Sequence, residues 1–347
     1  MYTLTKLLVL LLTFAMLLSL AACTQQPPAN DNEGDNSNDT PTEESAPDKD
    51  LEIKVYALNG TTALGLAQMM ANADTDNMNY NISLHAAADT VTAPVLKGEC
   101  AIAALPTNVA VKLYHQSEGK IQLLALNTLG VLYLLQAEGQ NITSLNDLRG
   151  KTVYLPGSGS NPEYITAALL NKAGLVVGTD VFLDTTSYQN PDALQAAMIA
   201  GQAPLAVLPE PKVSVVTTKA PTITAALDLT EEWEKQFGDN TLVQGCLVVN
   251  TAFAKAHPVE IKKFLEDYKA SVEFIKAGSD DAVNMIVNAT ILPQAAIAKK
   301  ALPKCNLCFF AGNDMKAIMN TFCEAIYAQD PKSIKAMPVD AFYYVAS

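Results

Sequence analysis

From residue 51 to residue 250 the apolar residues switch repeatedly between a period of two and a period near 3.6, and few folds accommodate that alternation. Strand-like runs occupy 51–58, 79–84, 101–105, 121–127 and 130–136, with helical patterns at 64–72, 89–98 and 108–116. Parallel strands need a long crossover, which a helix supplies, so this succession predicts a mostly parallel sheet covered by helices. A second series follows. Its strands fall at 151–155, 181–185, 205–208 and 223–227, its helices at 162–173, 191–201 and 212–219, and a further strand at 242–250. The remainder reads as helix, at 258–278, 281–289, 293–302 and 314–328, with a short turn near 331–337.

Two α/β units followed by a helical tail suit a chain that crosses twice between two lobes. Residues 51–140 with 245–347 are expected to form lobe 1 and residues 141–244 lobe 2, with crossings near 135–141 and 243–248. In open α/β sheets ligands bind in the crevice outside the carboxyl ends of the strands. The expected fold class is therefore α/β and two-lobed, with a ligand cleft between the lobes.

Residues 1–22 read as an export signal. Lys6 precedes an apolar run from Leu7 to Leu20, broken by Thr13 and Ser19. A run of about 14 residues falls short of the ~20 that span a bilayer. Leu20-Ala21-Ala22-Cys23 resembles the bacterial lipobox. That resemblance implies cleavage before Cys23, a diacylglyceryl thioether on its sulfur, and palmitate-type acyl chains that hold the protein at the membrane. An ordinary secretory signal with a chance cysteine is the alternative.

Residues 23–50 then make a lipidated cysteine and an acidic tether. From 24 to 50, eight acidic residues stand against Lys49, without an aromatic or β-branched aliphatic residue. Such a segment cannot bury enough apolar area to offset its chain entropy, so disorder is expected. It carries −7 of the chain's net −13, which leaves the folded part only mildly acidic. Nucleic-acid binding through a basic surface is thereby disfavoured. No second apolar stretch is long enough to cross a membrane.

Beyond Cys23 the chain has Cys100, Cys246, Cys305, Cys308 and Cys323. Cys305 and Cys308 form a CxxC, but the second pair of a structural zinc site is missing. Packed reduced thiols are expected, with a disulfide from Cys305 or Cys308 to Cys323 as the alternative. Neither a metal site nor a cofactor is expected. Of the three histidines, His85 ends a predicted strand and can reach the cleft.

Three segments carry a family resemblance: Gly98-Glu99-Cys100-Ala101-Ile102-Ala103-Ala104-Leu105-Pro106-Thr107-Asn108, Ser144-Leu145-Asn146-Asp147-Leu148-Arg149-Gly150-Lys151-Thr152-Val153, and 252–269 with Pro258 opening a long helix. They resemble the substrate-binding components of ABC importers of the nitrate/sulfonate/taurine type, related to the sulfonate-binding and thiamine-precursor-binding (NMT1/THI5-like) proteins. The resemblance covers almost all of 51–340. It implies a type II periplasmic-binding-protein fold that closes by hinge motion. It also implies a small-molecule solute, an ABC permease and its ATPase as partners, a monomer, a lipid-anchored place outside the cytoplasm, and no catalysis. The family takes up chemically diverse solutes, so the ligand stays open.

Four loops at predicted strand ends hold candidate solute contacts. In Asn59-Gly60-Thr61-Thr62, Thr61 and Thr62 can cap the following helix or turn to a ligand. Pro106, Thr107 and Asn108 open a helix, and Thr128 lies near the expected hinge. Ser158, Gly159, Ser160 and Asn161 form a flexible polar turn before a helix, with Asn161 as expected N-cap and Pro162 at the first helical position. That turn can act as an anion nest or as a plain connector. Glu210, in Leu208-Pro209-Glu210-Pro211, departs from the family pattern; it either offers a carboxylate to an amine or faces solvent. Tyr164 can stack on a ligand, whereas Tyr154 belongs in the core.

Two other functions are compatible with the fold. An enzyme of the thiamine-pyrimidine or menaquinone-pathway kind would work in the cytoplasm, which the export signal contradicts. A receptor lipoprotein presenting its ligand to a sensor would share every feature above.

Overall fold

The computed structural model describes residues 46–73, 78–86 and 88–345. The expected signal, Cys23 and most of the acidic tether lie outside the described residues. The last part of the expected tether does touch the body: the Asp48 backbone N–H donates to Glu260 Oε1 at 2.9 Å.

In chain order, β1 (Ile53–Leu58) leads through a 3-10 turn (Thr61–Leu66) into α1 (Ala67–Ala71), β2 (Tyr80–His85), α2 (Asp89–Lys97), β3 (Ile102–Pro106), α3 (Thr107–Gln116) and β4 (Ile121–Thr128). Next come β5 (Leu132–Gln136), β6 (Thr152–Tyr154), α4 (Asn161–Lys172), β7 (Phe182–Asp184), α5 (Pro191–Ile199), β8 (Leu205–Pro209), α6 (Lys212–Lys219), β9 (Thr224–Asp228) and α7 (Leu229–Phe237). The chain finishes with β10 (Gly245–Asn250), α8 (Thr251–Ala256), α9 (Pro258–Lys276), α10 (Asp280–Asn288), α11 (Ala295–Ala301), β11 (Leu307–Phe310) and α12 (Gly312–Gln329). Helix starts follow local chemistry. Asn190 accepts from the Ala193 N–H ahead of Pro191, Asp228 from Thr230, and Ser279 from Ala282.

The strands form two mixed sheets. The first has the order β11-β4-β10-β3-β1-β2 and the second β7-β6-β8-β5-β9. β1 is parallel to β2 and β3, and β6 to β7 and β8. The reversed strands include the two that follow a crossing: β10 is antiparallel to β3 and β4, and β5 to β8 and β9. A chain that leaves one sheet at its cleft edge enters the other at that edge and must run away from it, against its neighbours.

Three expectations are corrected. The strand expected at the end of lobe 1 pairs instead within the second sheet, so the first crossing falls between Thr128 and Leu132, not near 135–141. The tail is not wholly helical, because β11 pairs with the edge of β4. Four apolar residues are too few to separate strand from helix by period. The helix α7 went unforeseen; its burial rests on Leu229 and Trp233, one turn apart.

Both crossings run side by side and are tied by one side chain. The Gln244 backbone N–H donates to the Thr128 carbonyl at 2.9 Å, and Gln244 Oε1 accepts from the Val131 N–H at 2.7 Å. Asn306 adds a bond to the Gly130 carbonyl. Sterics close the remaining space: a Cβ on Gly130 would lie 2.2 Å from Thr230 Oγ1, and one on Gly245 would lie 2.5 Å from Asn127 Oδ1. Behind the crossings, Trp233 of α7 packs on Phe322 of α12 with ring centroids 5.8 Å apart. Its Nε1–H donates to Thr241 Oγ1 at 3.0 Å.

Gln244→Leu should therefore leave the Val131 N–H buried without a partner. The expected cost is about 1–3 kcal/mol of unfolding free energy, read by urea denaturation with an unchanged m-value. A loss below a few tenths would mean that water replaces the glutamine.

Candidate functional site

β1, β2 and β8 all end at the same gap between the sheets, and the residues that follow them form its walls. An open cavity of about 450 Å³ lies there. Asn59, Gly60 and Ala86 line it from the ends of β1 and β2. Across the gap stand Gln195 of α5 and Pro211, Lys212, Val215 and Lys219 around α6. Ile291, Leu292 and Ile297, between α10 and α11, supply an apolar side. Gly60 sits at φ 140° and ψ −152°, a conformation closed to residues with a Cβ, and nothing lies within 4 Å of where a Cβ would be. A cavity of about 500 Å³ beside Lys97, Lys120 and Lys255 lies at the opposite edge of the first sheet. A groove of about 390 Å³ between α4, α7 and α12 lies behind the crossings. Neither meets the carboxyl ends of parallel strands.

The charges at the cavity are mixed. Lys212 pairs with Asp192 on its rim. Lys219, exposed at the end of α6, brings a second ammonium. Gln195 Oε1 is buried and accepts no hydrogen bond from the described residues. Beside the cavity the lobes are latched: Lys300 Nζ of α11 donates to Thr217 Oγ1 at 2.9 Å and to Thr218 Oγ1 at 3.0 Å on α6.

Most of the candidate residues gather at a neighbouring polar junction rather than on the cavity wall. Thr107 is fully buried; its hydroxyl donates to the Val243 carbonyl at 2.8 Å and accepts from Asn161 Nδ2 at 3.3 Å. Asn108 Nδ2 donates to the Gly159 carbonyl at 3.4 Å. These two bonds join the residues after β3 to the residues after β6, and so link the two sheets. Thr128 Oγ1 donates to Asn127 Oδ1 at 3.0 Å, and Asn127 Nδ2 donates to the Thr62 carbonyl at 3.1 Å. Asn161 Oδ1 is left buried without a partner. Pro106 precedes this group as the N-cap residue of α3, in extended backbone.

The serine turn does something other than expected. Ser158 is exposed, and Ser160 Oγ donates to the Gly157 carbonyl at 2.9 Å. The Gly159 N–H is taken by the carboxylate of Glu163 one turn into α4. The chain's own acid thus takes the Gly159 N–H, which favours the plain connector over the anion nest at this turn. Ser160, not Asn161, holds the N-cap position, and Asn161 lies inside α4. Likewise Thr61 and Thr62 start the 3-10 turn without capping it, and the Thr62 hydroxyl donates back to the Leu58 carbonyl at 3.2 Å.

Glu210 is neither exposed nor free. It is 1% exposed, and both carboxylate oxygens accept from Ser214, one from the N–H at 3.1 Å and one from the hydroxyl at 3.0 Å. It therefore anchors the first turn of α6, the helix that lines the cavity. His85 receives or gives a 3.0 Å bond with Ser83 Oγ and tilts on Tyr56. Tyr164 is buried beneath Lys112, whose Nζ lies 5.3 Å from its ring centre. Tyr154 meets Tyr188 edge-on. The five described cysteines are free and buried, so the alternative disulfide to Cys323 is not formed. Burial pushes the Cys100 and Cys308 thiols up to about 12, far from thiolate chemistry at neutral pH.

Sequence reasoning missed Gln195, Lys212, Lys219 and the 291–297 segment. Pro211-Lys212, next to the chosen Glu210, was the one local signal, since it continues the same strand end into a helix. Nothing local marks Gln195 or Ile291, because α5 and the α10–α11 turn reach the gap only through packing.

Burial raises the Glu210 carboxyl above its ordinary 4.5, opposed by the Ser214 donors and then by Lys304 and Lys300. The folded chain holds this proton more tightly than the unfolded one. The resulting stabilisation is fully present below pH 4.5 and is lost as the pH rises through the raised folded value. Relative to Glu210→Gln, the protein should therefore lose stability from pH 4.5 towards neutrality. Chemical denaturation across that window reads the difference; a gain instead of a loss would mean that the Ser214 donors together with the lysines, not burial, dominate.

Residues 121–282 match the family model described as NMT1/THI5 like. No curated protein matches the sequence. Among solved structures, an ABC transporter protein from Parabacteroides distasonis superposes with a TM-score of 0.73 at 23% identity, over 86% of this chain and 100% of that one. The periplasmic aliphatic sulphonate binding protein SsuA from Escherichia coli does so with a TM-score of 0.70 at 13% identity, over 85% and 92%. A Candida albicans gene product described as exhibiting the generic periplasmic binding protein structural fold gives 0.59 at 13%, over 84% and 93%. The chain therefore has the two-lobed α/β periplasmic-binding-protein fold. Of the three sequence segments that carry the family resemblance, 144–153 and 252–269 lie within the matched residues, and 98–108 lies before them.

Proposed function

We propose that this protein is the extracytoplasmic solute-binding component of an ABC importer, held to the membrane through Cys23, which captures a small organic solute between its lobes and delivers it to a permease. The observation that carries this reading is the cavity of about 450 Å³ built on the carboxyl ends of strands from both sheets. The matched family segment and the superposing binding proteins support it. Among the described residues no helix is long and apolar enough to cross a membrane.

In this reading the protein binds without catalysis and works as a monomer. The moving bodies are the first sheet with its helices and the second sheet with its helices, hinged at 128–132 and 243–245. The candidate residues then divide into two roles. Thr107, Asn108, Gly159 and Asn161 hold the closed state through two long, individually weak bonds, which suits a joint that must open. The loops at Thr61, Thr62 and Glu210 set the backbone beside the solute, and Ser158 and Ser160 flank the junction at Gly159. A ligand that touches both lobes shifts the population to the closed form by its differential affinity alone.

Two measurements test this. Small-angle scattering of solute-stripped and solute-loaded protein should show a smaller radius on loading, together with a rise in melting temperature. An unchanged radius with a tightly bound solute would remove the hinge. Cys23→Ala should move the protein from the membrane fraction to the soluble one; retention at the membrane would remove the lipid anchor.

A further inference from the structure

Three lysines of lobe 1 reach across the gap to lobe 2. Lys300 of α11 donates to the hydroxyls of Thr217 and Thr218 on α6 at 2.9 and 3.0 Å. Lys304, in the 3-10 turn Leu302–Lys304, places its Nζ 5.9 Å from the ring centre of Tyr133 on β5, just past the first crossing. Lys112 of α3 has its Nζ 5.3 Å from the ring centre of Tyr164 on α4. None of these side chains lines the cavity. Each contact has the same sense: lobe 1 supplies the ammonium, and lobe 2 supplies the hydroxyl or the ring face. By contrast, Lys212 meets Asp192 and Lys299 meets Asp280 within a single lobe.

An ammonium on a hydroxyl or a ring face is attracted without the large desolvation cost of a buried ion pair, so such a contact forms and breaks readily. Lys300 and Lys304 are exposed, and an ionised Glu210 on the lobe 2 side draws both of them. Lys112 is more enclosed; burial lowers its ammonium below the ordinary range, opposed by Asp330 and Glu163. Resting on the solute-binding reading above, we propose that Lys112, Lys300 and Lys304 are positioning residues that draw the lobes together without solute, so that part of the protein is closed at rest. The solute then completes a closure already begun, and needs less differential affinity for the closed form to do so. Residues that never touch the solute thereby set how readily the lobes close on it.

Double electron–electron resonance reads this balance on the full chain carrying Cys23→Ala, unfolded and refolded to strip carried-over solute. Spin labels are placed after refolding on Ala196→Cys of α5 in lobe 2 and Ala270→Cys of α9 in lobe 1, both exposed, while the five described cysteines are buried. The stripped chain should show two distances, the shorter one from the closed form. Lys300→Met, Lys304→Met and Lys112→Met keep an apolar stem and lose the charge. Each should lower the closed-to-open ratio about threefold, and the triple variant about tenfold or more. Salt should lower the ratio in the parent and leave that of the triple variant unchanged. Lys300→Arg retains the donors and should keep the parent ratio. So should Lys299→Met, which removes the adjacent ammonium paired within lobe 1.

A ratio unchanged in the triple variant, or lowered as much by Lys299→Met as by Lys300→Met, overturns the latch. So does a stripped parent chain without a closed population. The solute-binding reading is judged separately, on the parent chain as isolated, where mass spectrometry identifies the solute released on unfolding. A shift to the shorter distance in that solute-carrying chain keeps the reading even where the latch fails. One distance shared by the stripped, solute-carrying and triple-variant chains would remove the latch and the hinge together.

Discussion

The two crossings between the sheets depend on Gln244. Where a strand leaves one sheet for another, its backbone groups have no neighbour in either ladder, and burial makes each unpaired group costly. Gln244 meets this with both of its parts: its backbone donates to Thr128 on the outgoing strand, and its side chain accepts from Val131 just past the crossing. The two connections are thereby held side by side. Gly130 and Gly245 are packed against neighbouring side chains, so neither position has room for a Cβ. The direction of β5 and β10, the position of the gap and the approach of α6 to lobe 1 all follow from that joint.

The gap itself has two zones of different character. Close to the hinge, Thr107, Asn108, Gly159 and Asn161 meet across the lobes in a buried polar junction whose interlobe bonds are long, at 3.3 and 3.4 Å. Farther out, the cavity has open volume, an apolar side at Ile291, Leu292 and Ile297, and two lysines against Asp192. A closing device needs contacts that form readily and break readily, whereas a recognition site needs polar groups left unpaired until a ligand arrives. Glu210 serves neither directly. Held by Ser214, it fixes the first turn of the helix that presents Lys212, Val215 and Lys219, so it acts on the cavity through α6.

Much of the fold was legible in the chain because it is written in short-range periodicity. The alternation of strand and helix from 51 to 250 predicts ten of the strands and the helices between them except α7, and the observed bounds differ by a residue or two at most ends. Lys212–Lys219 was read to the residue. Failures came where local signals are silent. β11 is four residues long, and β5 reads as a strand without any mark of which sheet it will join. The serine turn shows the same limit in chemistry: its Gly159 N–H does take a carboxylate, but that of Glu163, four residues on, while the Ser160 hydroxyl turns back to the Gly157 carbonyl.

By itself, then, the sequence determined the class of fold, the succession of strands and helices and the family likeness. Each of these depends on residue types at spacings of a few positions. Only the tertiary structure decided which strand pairs with which sheet, that Glu210 is buried and spoken for, and that Gln195 and Ile291 share a wall. Those outcomes depend on residues far apart in the chain becoming neighbours. A hydrogen bond such as that from Asn161 to Thr107 has no counterpart in local sequence, since its energy exists only once both sheets are in place.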